Sequence, residues 1–114
     1  MIVRVGVDIV SLERIEEAMR RPTFVKRILT TAERSRQLTP QYVAGRWAAK
    51  EAIKKCLPKI SSWHDVEIAT AAEGEPLPKI VREGLISSDM HLHISISHER
   101  DHSVAVAILE SVPQ

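Results

Sequence analysis

In the run RWAAKEAIKK, Arg46 to Lys55, a single carboxylate, Glu51, stands among four cations. Glu51 and Lys55 are four residues apart, so on a helix they share a ridge, and an ordinary surface ion pair is one reading. The other is phosphoryl chemistry, which needs a hard oxygen ligand for Mg²⁺ and positive charge beside phosphate oxygens. Asp8 is a second carboxylate out of place, at the end of an otherwise apolar stretch. Aspartate is common at strand-to-helix turns, but two carboxylates from different elements can also share one Mg²⁺ with a substrate phosphate. Spacing alone does not bring Asp8 to Glu51, and both readings stand. His98, beside Ser97, could hydrogen-bond a phosphate or hydroxyl, or act as a general base. His91 and His93 have no matching acid or cysteine pair, which argues against zinc.

Those side chains need elements to hold them. Residues 2–10 alternate, with Val3, Val5, Val7 and Ile9 on one side and Arg4, Gly6 and Asp8 on the other. This predicts a strand whose valine side is buried and which carries Asp8 near its C-terminal end. Ser11 can cap a helix that places Leu12, Ile15 and Met19 on one face and Arg14 off it. Pro22 interrupts that helix or lies just past its end. FVKRIL is a second short helical stretch, and Thr30–Glu33 has the capping-box pattern of another helix start. Thr39-Pro40 opens the main helix, which runs from about Gln41 to Leu57 and stops at Pro58.

On a helical wheel, Gly45, Ala48, Ala49, Ala52, Ile53 and Cys56 gather into one small-residue arc. Arg46, Lys50 and Lys54 form an opposite stripe that reads as a solvated face, with Glu51 and Lys55 at the border. Further on, DVEIAT reads as a strand, EGEP as a turn, and KIVREGL as a strand or a short helix. HLHISIS alternates, with Leu92, Ile94 and Ile96 on one face. VAVAIL, apolar on both faces, follows the link HERDHS and completes an antiparallel hairpin. The expected class is α+β, a mostly antiparallel sheet packed with a long central helix and shorter ones.

The 114 residues suffice for one domain spanning 1–114, and 44% hydrophobic with 27% charged residues predicts a packed one. A net charge of +1 gives no whole-molecule signal for nucleic acid or membrane. No apolar run approaches the ~20 residues of a membrane span. The first residues are too short for a secretory signal, so the cytoplasm is the expected location. Cations bunch locally, at Arg14, Arg20, Arg21, Lys26 and Arg27 and again from Arg46 to Lys59, which suits phosphate or an acidic partner. The lone Cys56 excludes an intramolecular disulfide and a multi-cysteine metal site.

VGVDIV followed by Arg14, RILT with Glu33, AGRWAAKEAIKK, DVEI followed by GEP, and ISISHERDHSVAVAI occur in this order. In order and rough spacing the chain resembles the bacterial holo-acyl-carrier-protein synthases, small 4′-phosphopantetheinyl transferases, over nearly its whole length. The resemblance implies their fold and reaction. A serine hydroxyl of an apo acyl carrier protein attacks the β-phosphate of coenzyme A (CoA), takes the phosphopantetheine arm, and releases adenosine 3′,5′-bisphosphate, in the service of fatty acid biosynthesis. It implies Asp8 and Glu51 as Mg²⁺ ligands, and Glu51, directly or through a metal-bound water, as the base for the serine. Lys55 would neutralise phosphate or steer the proton. Arg46 and His98 correspond to positions near the CoA 3′-phosphate, with Ser97 beside them, and Gly74 and Pro76 to the adenine pocket. Arg14, extended by Arg20 and Arg21, corresponds to the contact with the acidic carrier protein. The resemblance further implies a homotrimer with active sites at subunit boundaries, the metal pair from one chain and His98 from the next.

Some positions depart from the family pattern. Trp47 replaces a usual phenylalanine, the Arg36–Gln41 link is short, and Glu99, His102 and Ser103 stand where a hydroxyl residue, a tyrosine and an alanine are common. A non-catalytic CoA- or carrier-binding module and a Mg²⁺-dependent phosphohydrolase are the alternatives. Mass measurement of an apo carrier protein after incubation with CoA and Mg²⁺ separates all three.

Overall fold

The computed structural model describes residues 1–113. Strand β1 (Ile2–Ser11) leads into helix α1 (Leu12–Ala18), then α2 (Pro22–Ile28) and the long α3 (Pro40–Cys56). A 3-10 turn (Trp63–Asp65) precedes β2 (Val66–Thr70) and β3 (Pro76–Ile80), and β4 (Met90–His98) and β5 (His102–Ser111) close the chain. One antiparallel sheet has the order β1-β5-β4, and β2 and β3 form a separate antiparallel pair.

Helix α3 starts where local chemistry says it should. Thr39 Oγ1 accepts from the Tyr42 N–H, and Pro40 occupies the first turn, where its missing N–H costs nothing. The small-residue arc does what its pattern predicted: Gly45, Ala48, Ala49, Ala52, Ile53 and Cys56 are all buried, the last five in one core with Ala105, Ala107 and Leu109 of β5. Fully burying Val43, Ile53 or Ile28 stabilises the fold by about 1.5–3 kcal/mol each. Small side chains let the helix lie close to the sheet. Closest of all is Gly6, where an added Cβ would collide with the Ala52 carbonyl oxygen and lie 3.0 Å from Lys55 Cβ.

That contact reverses the expected sidedness of β1. Gly6 and Val10 are buried on the helix side and Asp8 is half-buried there, whereas Val5, Val7 and Ile9 are 58%, 56% and 66% exposed. Within one chain the valine side faces away from the core, because only the glycine side admits α3 at this distance.

The solvated stripe on α3 is also corrected. Lys54 is exposed as expected, but Arg46 is buried and Lys50 is 1% exposed. Lys50 Nζ donates to Glu33 Oε1 at 2.7 Å and to the carbonyls of Ile28 and Trp63, both at 2.8 Å. Glu33 also accepts from the N–H groups of Thr30 and Ile68, each at 2.7 Å. A buried charge survives only when paired and fully hydrogen-bonded, and this pair is.

The Thr30–Glu33 capping box forms both of its hydrogen bonds but begins no α-helix; residues 31–36 are turns and bends. Pro22 does not break α1 but lies past its end, the second of the two alternatives. It starts α2, at the first helical position. In KIVREGL the strand is the correct alternative only through Ile80; beyond it Arg82 turns back to donate to Ser61 Oγ and the Lys59 carbonyl.

Candidate active site

Asp8 reaches the site because β1 stays extended to Ser11, where the Ser11 Oγ caps α1 by accepting from the Arg14 N–H at 3.4 Å. Glu51 reaches it because α3 crosses the same sheet face. The two carboxylates line one cleft of about 520 Å³ together with Ser11, Arg14, Phe24, Trp47 and His102. The strand-end aspartate and the helix glutamate, unconnected by spacing, therefore do meet.

Their charges feel each other. Burial pushes the Glu51 carboxyl above its ordinary pKa, and Asp8 adds to the rise while Lys55 opposes it. Burial likewise raises Asp8 against the pull of Lys55. Lys55 Nζ donates to the Val7 carbonyl at 2.6 Å and lies 3.6 Å from Asp8 Oδ1. Lys55 thus pairs across to β1 and not along its own helix with Glu51, which removes the ordinary i,i+4 ion pair as the reason for the motif.

Trp47 helps wall the cleft, edge-on to Phe24 at 6.1 Å and to Trp63 at 4.7 Å between ring centroids. Arg14 lines both this cleft and a smaller depression of about 360 Å³ with Glu17, Ala18 and Arg21. Arg20 is exposed nearby in sequence.

A second group gathers elsewhere on α3. Arg46 Nη2 donates to Thr70 Oγ1 at 2.6 Å, which ties the helix to the β2–β3 hairpin where Thr70 pairs with Pro76. The Arg46 guanidinium also sits 4.7 Å over the Tyr42 ring, whose other cation contact is Arg36 at 4.1 Å. Arg46 Nε is buried with no acceptor among the described residues. Gly74 makes the hairpin turn at φ 92°, a conformation glycine adopts without strain.

His98 lies over Gly45, one residue from Arg46: a Cβ there would come 2.7 Å from His98 Cε1 and 3.2 Å from Nε2. Ser97, its neighbour, points to the opposite face of the sheet and so does not join it there. Neither His98 nor the hairpin residues line the Asp8–Glu51 cleft. The reading from sequence missed Tyr42 and Thr70 as partners of Arg46; only the folded hairpin brings Thr70 there.

Over residues 4–108 the chain matches the 4′-phosphopantetheinyl transferase superfamily, and it belongs to that family. The holo-[acyl-carrier-protein] synthase of Geobacillus sp. (strain WCH70) is 41% identical, with 96% of this chain and 98% of the relative covered. That of Halalkalibacterium halodurans is 40% identical over 96% of this chain and 97% of the relative. Among solved structures, the Bacillus anthracis holo-(acyl-carrier-protein) synthase in complex with CoA (3′,5′-ADP) superimposes with a TM-score of 0.82 at 35% identity, covering 97% of this chain and 98% of that one. The Helicobacter pylori enzyme in complex with coenzyme A gives 0.82 at 30% identity, over 94% of this chain and all of the other.

Proposed function

We propose that this protein is a holo-[acyl-carrier-protein] synthase, one domain over 1–114, that moves 4′-phosphopantetheine from CoA to a serine of apo acyl carrier protein in the cytoplasm for fatty acid biosynthesis. The observation that carries the reading is the cleft in which Asp8 and Glu51, from different elements, face each other with Lys55 on Asp8. A binding module has no need of two carboxylates in one cleft, where burial raises both and Asp8 adds to the rise of Glu51. The relatives named above match 96% of this chain and are named for this activity.

Mg²⁺ fits the donors present: two carboxylates, hard oxygen ligands whose mutual repulsion a divalent cation relieves. Bound there by Asp8 and Glu51, it would neutralise pyrophosphate oxygens and so lower the barrier to phosphoryl transfer. The chain's own residues do the rest. Lys55, held by the Val7 carbonyl, offers charge to the transferring phosphate. Glu51 takes the serine proton as the serine oxygen bonds to the β-phosphorus and adenosine 3′,5′-bisphosphate leaves.

Arg46, whose Nε lacks an acceptor among the described residues, and His98 serve the 3′-phosphate, and the Gly74–Pro76 turn flanks the nucleotide. Arg14 at the cleft, Arg21 in the neighbouring depression and the exposed Arg20 meet the acidic carrier. The exposed Val5, Val7, Ile9 and Val104 side of the sheet is the face that a homotrimer buries. With His98 outside the cleft of its own chain, the metal pair of one subunit works beside His98 of the next. No described helix is long and apolar enough to cross a membrane.

The test is direct: incubate the protein with CoA, Mg²⁺ and apo carrier protein, then weigh the carrier. A gain of one phosphopantetheine group supports the proposal. CoA cleavage with an unchanged carrier would point to the hydrolase instead, and CoA binding without either product to a non-catalytic module.

A further inference from the structure

His98 is exposed, yet one side of its ring is firmly held. Nδ1 lies 2.8 Å from Ser103 Oγ, across the β4–β5 pairing in which the two residues sit opposite each other. Ser103 is 1% exposed, and among the described residues its hydroxyl has no other hydrogen-bond partner. Gly45 clears the space the ring occupies. Nε2 makes no hydrogen bond among the described residues.

A serine hydroxyl has one proton to give, and a neutral imidazole has one donor and one acceptor nitrogen. If Nδ1 carried the proton and donated to Ser103, the buried serine O–H would be left with no acceptor, a costly arrangement. If Ser103 donates to Nδ1, its proton is satisfied and the imidazole proton must sit on Nε2. The second arrangement wins because it strands no buried donor.

We propose that Ser103 is a positioning residue that fixes His98 as its Nε2–H tautomer and aims that N–H at the 3′-phosphate of the CoA donor. The assignment of the phosphate to His98 rests on the functional reading above; the tautomer does not. An N–H aimed at a phosphate oxygen adds direction, while Arg46 supplies charge. Ser103 touches no substrate and acts only through His98, as outer-shell partners of ligating histidines do.

Two measurements separate the parts. In protein labelled with ¹⁵N at histidine and without substrate, the ring nitrogen shifts of His98 should report the Nε2–H form. In Ser103→Ala they should move toward a mixture of tautomers, and in Ser103→Thr return to the Nε2–H form. Ser103→Ala should fold, since its neighbours on that face of β5, Ala105 and Ala107, are already alanines; its melting temperature checks this. A wild-type Nδ1–H form, or no change on removing the hydroxyl, overturns the proposal.

The second measurement is the ratio of kcat/KM for CoA over 3′-dephospho-CoA. Loss of one hydrogen bond's alignment should lower this preference about three- to tenfold in Ser103→Ala. The change should lie in KM, and Ser103→Thr should restore it. A preference that collapses in His98→Ala but stays whole in Ser103→Ala refutes the positioning role. A preference unchanged in His98→Ala, with the tautomer result intact, removes His98 from the 3′-phosphate and with it the substrate half of the proposal.

Discussion

Asp8 and Glu51 carry like charges on facing elements, so neutralising either has opposite effects on activity and on the metal-free fold. Asp8→Asn and Glu51→Gln should each abolish most transfer, because each removes an oxygen charge needed beside a polyanionic substrate. Both carboxyls have raised pKa values when folded, from burial and, for Glu51, from Asp8. Their ionised forms are therefore disfavoured by folding, and metal-free stability should rise as pH falls through those raised values into the ordinary carboxylate range. The two variants should melt no lower than wild type without Mg²⁺, and Mg²⁺ should raise the melting temperature of wild type alone. Near-normal turnover in either variant at ordinary Mg²⁺ would sink the shared-ion assignment. These two residues were legible as candidates because a lone acid in a basic or apolar run stands out. Their meeting was not, because it depends on how α3 crosses β1 at Gly6. Thr70 gave no signal, and Ser103 only a departure from the family's usual alanine with no role attached: a small hydroxyl residue in a strand looks the same whether it aims a histidine or meets water.

Helix α3 shows what a local signal can and cannot carry. Its boundaries were readable from Thr39-Pro40 and Pro58, since capping chemistry is complete within a few residues. The burial of Lys50 was not, because a solvated and a buried lysine have the same letter and the same spacing, and Glu33, its partner, lies 17 residues away. Glu33 also explains why its capping box opened no helix: its two oxygens hold β2 and α3 as well as the turn. Lys50→Met should cost about 3–5 kcal/mol in urea unfolding, because it leaves Glu33 as an unpaired buried charge. Adding Glu33→Gln should recover part of that loss, and additive losses would mean that the two do not act as a pair. The 3-10 turn before β2 makes a pH prediction of the opposite sign to that of the cleft. Burial would raise the Asp65 carboxyl, but the N–H groups of Ser61 and Ser62 and the charge of Arg82 outweigh it and hold its pKa low. Its contribution is present above the ordinary aspartate range and lost as pH falls through the lowered value. The melting-temperature gap between wild type and Asp65→Asn should therefore hold near neutrality and close in acid; a gap that persists unchanged would assign the loss to packing.

At the scale of the molecule, charge and apolar surface divide the work of meeting partners. Arg14→Ala should weaken use of the carrier far more than binding of CoA, and the difference should shrink as salt rises, since complementary charge mainly steers encounter. The reverse pattern would move Arg14 into the nucleotide site. The uncovered valine side predicts a trimeric mass in solution, and Val5→Lys with Ile9→Lys should give a folded monomer. Mixed Glu51→Gln and His98→Ala trimers should regain activity that neither has alone; subunit exchange without recovery would place both groups in service of the same chain's site. The order β1-β5-β4 has one more consequence, for how the chain folds. The first strand finds its only partner in that sheet in the last one, Ile2 opposite Glu110 and Ser11 opposite His102. As the chain leaves the ribosome, β1 waits with both edges unpaired until the final strand emerges, while α3 and the β2–β3 hairpin need only near neighbours. Closing so long a loop comes late and sets the pace of refolding. Asp8 should therefore keep a lasting place beside Glu51 only when the sheet that supports β1 is complete.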